Sequence, residues 1–110
     1  MTKPEHYFLE KKFVRETCLQ IQKDLQGLVD CEIQTDESDP LFHLQGLIVK
    51  VLEELSNGSG GKLMQFIYKV DLSEKKSLEL LMKGDLKELA YLIIEREAQK
   101  VYLRRRFKTN

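Results

Sequence analysis

The sequence predicts an all-α fold, a small bundle of about five helices that ends in one long helix. Three observations carry the prediction. Apolar residues recur at alternating steps of four and three through three long stretches, which stacks each set on one side of a helix. Helix-start signals precede the later stretches, at Asp39-Pro40 and at Asp85 with Glu88 three positions on. The composition is rich in Leu, Lys and Glu, with only two prolines and six glycines among 110 residues, and so favours helix over disorder.

The elements follow in order. Residues 1 to 7 hold a proline and alternating charge and are expected to form a loose lead-in. From Phe8 the pattern turns helical: Val14, Cys18, Ile21, Leu25 and Leu28 make one stripe, and Phe8, Leu9 and Phe13 broaden its start. Gln20, Gln22, Lys23, Asp24 and Gln26 fill the other sides as a solvated face, and the helix is expected to fail between Gly27 and Asp30. Asp30 to Pro40 is polar, acidic and without period, hence a surface loop with a short extended piece at Glu32 to Thr35. Asp39 then serves as an N-cap with Pro40 in the first helical position, opening a second helix whose stripe is Leu41, Leu44, Ile48, Val51 and Leu55, widened by Leu47 and Leu52. The β-branched run Ile48 to Val51 argues for a strand, but the cap and the sustained spacing outweigh it.

Asn57 to Gly61, NGSGG, ends that helix. A shorter third helix, KLMQFIYKV, presents Leu63, Phe66, Ile67 and Val70. Asp71 or Ser73 caps a fourth, with Leu78, Leu81 and Met82 as its apolar positions, and Gly84 supplies the left-handed turn that closes it. Asp85 opens the last stretch, DLKELAYLIIEREAQKVYLRRRF, roughly 34 Å long as a helix. Its first half is apolar on nearly every side and is expected to be the central strut of the bundle. Its second half is charged, ends in Arg104, Arg105 and Arg106, and reads as a projecting or partner-binding end, with residues 105–110 frayed. All of residues 1–110 belong to one domain, with the three long helices at shallow angles and the two short ones capping an open side. The runner-up is an α+β domain that pairs Glu32–Thr35 with Phe66–Val70 as strands.

Charge is balanced overall, 18 basic residues against 18 acidic, so a dedicated nucleic-acid binder is not indicated. Its distribution is uneven. Residues 31–60 hold Glu32, Asp36, Glu37, Asp39, Glu53 and Glu54 against Lys50, a net of −5, while residues 85–110 carry a net of +3. An acidic middle and a basic end can attract each other within one chain or between two copies. No apolar run approaches the length that spans a bilayer, and charge stands in the N-terminus where a signal peptide needs an apolar core, so a cytoplasmic location is expected. Cys18 and Cys31 lack CxxC spacing and are expected to be free thiols, Cys18 as a small apolar group on a buried stripe.

Candidate chemistries are few. Asp30, Glu32, Gln34, Asp36 and Ser38 alternate like calcium-loop ligands, but Thr35 stands where Gly is needed and Leu41 where a bidentate Glu closes the site, so a solvated acidic loop is expected. NGSGGKL has glycines before a Lys at a helix start, yet it lacks the leading Gly, the Ser or Thr after Lys and the preceding strand of a phosphate-binding loop. His6 and His43 stand at no ligand spacing, Glu95 and Glu97 point to different helix faces, and no nucleophile–base arrangement emerges. No catalytic residue, cofactor or metal is therefore expected, and an enzyme is disfavoured. The residues best suited to a partner are Ile94, Val101, Tyr102, Arg104, Arg105, Arg106 and Phe107, on a helix whose apolar positions, Ile93 and Leu103 included, span more sides than a small core covers.

Residues 63–105, LMQFIYKVDLSEKKSLELLMKGDLKELAYLIIEREAQKVYLRR, resemble the C-terminal part of small uncharacterised bacterial all-helical proteins, in which an apolar helix leads to a capped short helix and then to a long one with an IxERExxK-like segment. The resemblance implies a bacterial cytoplasmic origin and no activity. The expected role is a non-enzymatic helical protein–protein interaction domain, self-associating as a homodimer through the long last helix or binding another helical protein. The alternatives are a nucleic-acid-associated module using Lys100, Arg104, Arg105, Arg106 and Lys108 with Tyr102 and Phe107 interleaved, and a small-ligand-binding bundle with a pocket near Met64, Phe66, Tyr68 or Tyr91.

Overall fold

In the computed structural model the chain forms five helices among its described residues, 10–58 and 61–107, with no strand. They are α1 (Lys11–Leu25), α2 (Pro40–Asn57), α3 (Lys62–Val70), α4 (Glu74–Lys83) and α5 (Leu86–Arg106). The lead-in over 1–7, Phe8 and Leu9 at the expected start of α1, Ser59 and Gly60 of the NGSGG link, and residues 108–110 lie outside the described residues.

Local chemistry sets the boundaries. Asp39 Oδ1 accepts from the amide of Phe42 at 3.2 Å ahead of Pro40, Ser73 Oγ from Lys76 at 3.2 Å, and Asp85 Oδ1 from Glu88 at 3.2 Å. Each cap satisfies a helix-end donor that otherwise has no partner. Ser73 rather than Asp71 caps α4, because Asp71 closes α3 instead. It takes a left-handed conformation (φ 70°) and its amide, with that of Leu72, reaches back to carbonyls of Ile67 and Tyr68. Gly84 (φ 72°) closes α4 by the same two-bond motif, without the Cβ penalty that Asp71 bears.

The core is one cluster contributed by every helix. α1 supplies Phe13, Val14, Cys18, Ile21 and Leu25; α2 supplies Leu44, Ile48, Val51, Leu52 and Leu55; α3 supplies Phe66, Ile67 and Val70; α5 supplies Leu89, Ala90, Ile93, Ile94, Ala98 and Val101. α5 packs against all four other helices, the central position expected for its first half. Its burial continues past that half, through Val101. The helix also runs on through Arg106.

Two faces differ from expectation. Of the apolar positions expected on α4, Leu81 packs partly buried against the core, but Leu78 is exposed and Met82 89% exposed, and Ser77 and Leu80 turn inward instead. Both choices offer a Leu to the core, and Ser77 can face inward because its hydroxyl donates to Ser73 O at 2.8 Å. On α1, Gln20 and Asp24 are buried rather than solvated, because α5 lies against them.

The α+β alternative does not form: Phe66–Val70 is helical, and Glu32–Thr35 has no strand partner. That segment is extended, however, and the side chain of Gln22 holds it as a strand would. Gln22 Nε2 donates to Cys31 O at 2.5 Å, and the Ile33 amide donates to Gln22 Oε1 at 2.7 Å. The clamp lets Ile33 drop into the core beside α1.

Candidate interaction surface

The second half of α5 meets α1 through a polar ladder. Gln20 and Asp24 stand one turn apart on α1, as do Lys100 and Arg104 on α5, with Glu16 a turn before Gln20. Arg105 Nε donates to Glu16 Oε2 at 2.8 Å, Arg104 to Gln20 Oε1 at 2.8 Å, and Lys100 Nζ to Asp24 Oδ2 at 2.6 Å. Numbers rise on one helix as they fall on the other, so the two run antiparallel. Arg105 also reaches Glu10 at 3.3 Å and lies 5.0 Å over the Phe13 ring. Lys100 additionally donates to Lys69 O at 3.0 Å, and Arg96 holds both the carboxylate of Asp71, at 2.8 Å, and its carbonyl. The charges of this half of α5 therefore dock it on α1 and α3. The acids that meet them come from residues 10, 16, 24 and 71, outside the acidic stretch of residues 31–60.

At the buried end of the ladder sits Glu97, 0% exposed, with Lys100 Nζ 2.8 Å from its Oε1. Neither oxygen receives a well-aligned hydrogen bond. Burial, followed by a hydrogen bond shared with Asp24, pushes the Glu97 carboxyl up to about 9 against the opposing pull of Lys100. Burial alone would lower the Lys100 ammonium, but its contacts with Asp24 and Glu97 outweigh that and raise it. At neutral pH Glu97 is thus protonated, and Lys100 is left paired with Asp24. Two buried carboxylates against one ammonium would leave an unbalanced charge in a poorly solvated place.

The residues expected to meet a partner divide sharply. Ile94 and Val101 are fully buried in this chain's own core, as is Ile93, so they offer nothing to a partner while the fold is intact. The apparent surplus of apolar surface on α5 is mostly consumed internally, because α5 is surrounded rather than lying on one side of the bundle. Tyr102 is half-buried, and Arg105 is spent on Glu16 and Glu10. Arg104 is exposed with one bond to Gln20, Arg106 is exposed 6.0 Å over the ring of Phe107, and Phe107 is 70% exposed.

Around Phe107 the structure assembles a surface that sequence periodicity alone does not single out. Leu19, 60% exposed, shares an open cleft of about 690 Å³ with Lys23, Arg104 and Phe107, floored by Glu16, Gln20 and Arg105. A second open cleft, about 720 Å³, continues from Leu19 along Gln22, Lys23 and Gln26 to Val29 and Asp30. Lys11, Arg15, Leu19 and Lys23 follow one another at four-residue steps and are all exposed. Among the described residues no carboxylate pairs with Lys11, Arg15, Lys23, Arg104 or Arg106. The signal for this face was present in the sequence: a leucine in the polar arc of α1, flanked by cations one turn away on each side.

Other candidate chemistries remain dispersed. Burial raises the Cys18 thiol to about 11, and burial with the nearby Glu54 and Asp30 raises Cys31, so both stay protonated at neutral pH. His43 Nδ1 lies 2.6 Å from Thr35 Oγ1 and serves to tie the loop to α2. Among the described residues no three His, Cys, Asp or Glu gather closely enough to hold a metal ion, and no helix is long and apolar enough to cross a membrane. Of the residues proposed to line a ligand pocket, Phe66 is buried, Met64 and Tyr91 are half-buried, and Tyr68 is exposed with its hydroxyl donating to Glu74 at 2.8 Å. Comparison with protein families, with curated proteins and with solved structures found no match to this chain.

Proposed function

We propose that the chain is a non-enzymatic helical protein–protein interaction domain that self-associates, using the cleft between α1 and the end of α5. The carrying observation is the grouping of two large exposed apolar side chains, Leu19 and Phe107, with Lys23 and Arg104, which pair with no carboxylate among the described residues, around one open cleft. Aromatic and apolar anchors beside cations are the composition of contact surfaces that release water on docking. The ladder beneath ties Gln20, Glu16, Arg104 and Arg105 of the cleft to one another. Sedimentation at rising concentration tests the proposal: association should be concentration-dependent and should be lost in Phe107→Asp, while the helical signal is retained. A monomer at every concentration would refute it.

A second reading, nucleic-acid association, is favoured by the exposed basic row of Lys11, Arg15 and Lys23 beside Arg104 and Arg106. Cations in that arrangement can follow a phosphate backbone, and binding would weaken steeply with salt. The presence of Leu19 in the middle of the row is what places the protein reading first.

A further inference from the structure

We infer that the occupant of the α1/α5 cleft is the acidic, Phe42-bearing face of α2 from a second copy of this chain. This deepens the self-association reading and rests on it. Three observations on the opposite-charged face point there. The carboxylates of Glu32, Asp36, Glu37, Glu53 and Glu54 are exposed, and among the described residues none pairs with a cation, although six carboxylates face a single Lys50 across residues 31–60. Phe42 stands 73% exposed at the start of α2, as exposed as Phe107 of the cleft and unlike the buried Phe13 and Phe66.

The third is Gly46. Phe42, Gly46 and Glu53 lie on one exposed stripe of α2. A glycine inside an exposed helix is destabilising relative to alanine, and a Cβ at Gly46 would meet no atom within 4 Å. Nothing within the chain requires its small size. Its absent side chain leaves open space one turn from Phe42 and two turns before Glu53, where a protruding apolar group can approach the helix backbone. Leu19 and Phe107, with Lys23 and Arg104 beside them, are such groups. The two faces are complementary in charge, and among the described residues no ion pair neutralises either within one copy.

Two double variants test the inference: Lys23→Glu with Arg104→Glu on one face, and Glu53→Lys with Glu54→Lys on the other. Sedimentation of each variant alone, and of an equimolar mixture, reads the outcome, with circular dichroism as the check on folding. The expected result is loss of association in each variant alone, restoration in the mixture, and weakening of the unmodified chain's association as salt is raised. Gly46→Gln, which fills the open space beside Phe42 without changing a charge, should also abolish association. Association that survives both charge reversals and high salt would overturn this inference while leaving self-association standing. A chain that is monomeric at every concentration would overturn both. Salt-dependent binding to RNA or DNA by a monomeric chain, lost in Lys23→Glu with Arg104→Glu, would assign the basic face to nucleic acid instead.

Discussion

Replacing Glu97 by Gln should stabilise the domain at neutral pH and leave it nearly unchanged in mild acid. The sign follows from proton linkage. Glu97 has its folded-state carboxyl pushed up to about 9 by burial and by Asp24, from an ordinary 4.5 in the unfolded chain. A raised folded pKa contributes stability that is complete below the unfolded value and is lost progressively as pH rises toward the folded one. Between pH 5 and pH 7 the unfolded chain has released this proton and the folded chain has not, so stability falls by about 1.4 kcal/mol per pH unit, or about 2 to 3 kcal/mol across that interval. Gln cannot ionise, retains nearly the same volume, and has an N–H to offer Asp24 where the protonated acid offers an O–H. Asp24 and Lys100 are present in both proteins, so subtracting the two stability curves removes what they share. Urea unfolding of wild type and Glu97→Gln at several pH values measures the difference directly. It should grow with pH in favour of the variant, and Asp24→Asn should flatten the wild-type dependence by leaving Glu97 as the only anion for Lys100. Parallel curves, or a variant less stable than wild type at pH 7, would show that Glu97 is ionised and held in a favourable ion pair, and the protonation reasoning would fall.

Four further outcomes are expected. Gly46→Ala should raise monomer stability by about 0.5 to 1 kcal/mol in thermal or urea unfolding, since its Cβ meets nothing within 4 Å. Asp71→Gly should be nearly neutral, because relief of the left-handed conformation, about 1 kcal/mol, offsets an exposed bond to Arg96 of about 0 to 1 kcal/mol, whereas Asp71→Ala keeps the strain, loses the bond and should be destabilising. Gln22→Ala leaves the Ile33 amide and Cys31 carbonyl without their partner and should cost about 1 to 3 kcal/mol, visible first as faster hydrogen exchange at Ile33. Leu80→Ala should cost about 2 to 5 kcal/mol and Met82→Ala almost nothing, a comparison that tests which face of α4 points inward.

The helices were legible because their signals are local. A cap depends on a side chain and an amide three residues away, so Asp39, Ser73 and Asp85 declare their helices within a few positions. The stripe of α2 follows from spacing alone, and all its main members except Leu41 are buried. On α4 the spacing placed Leu81 correctly, since it packs partly buried on the core, but could not choose between Leu78 with Met82 and Leu80 for the rest of the stripe. Neighbouring helices made the choice. The extended segment near Ile33 looked like a strand candidate because its backbone is extended, but its hydrogen bonds go to a single glutamine side chain, a pairing that no residue pattern announces.

The candidate site was legible at one end only. Arg104, Arg106 and Phe107 were identifiable from their position and exposed character, while Leu19 and Lys23, which complete the cleft, lie more than eighty residues earlier. Ile94 and Val101 read as surplus because a helix with more than one apolar side can either meet a partner or be surrounded, and the sequence does not distinguish them.

What the sequence determined by itself is the all-helical fold, the caps and most core stripes, because periodicity and capping are properties of neighbouring residues. Tertiary structure alone decided the meaning of the charges. The same lysines and arginines of α5 could have been a solvated end, a phosphate-binding row or a seam, and only the antiparallel approach of α1 puts Asp24, Gln20 and Glu16 opposite them. That approach also buries Glu97 and turns Leu19 and Phe107 toward one cleft, since burial and juxtaposition are set by which helices meet and no single helix carries that information.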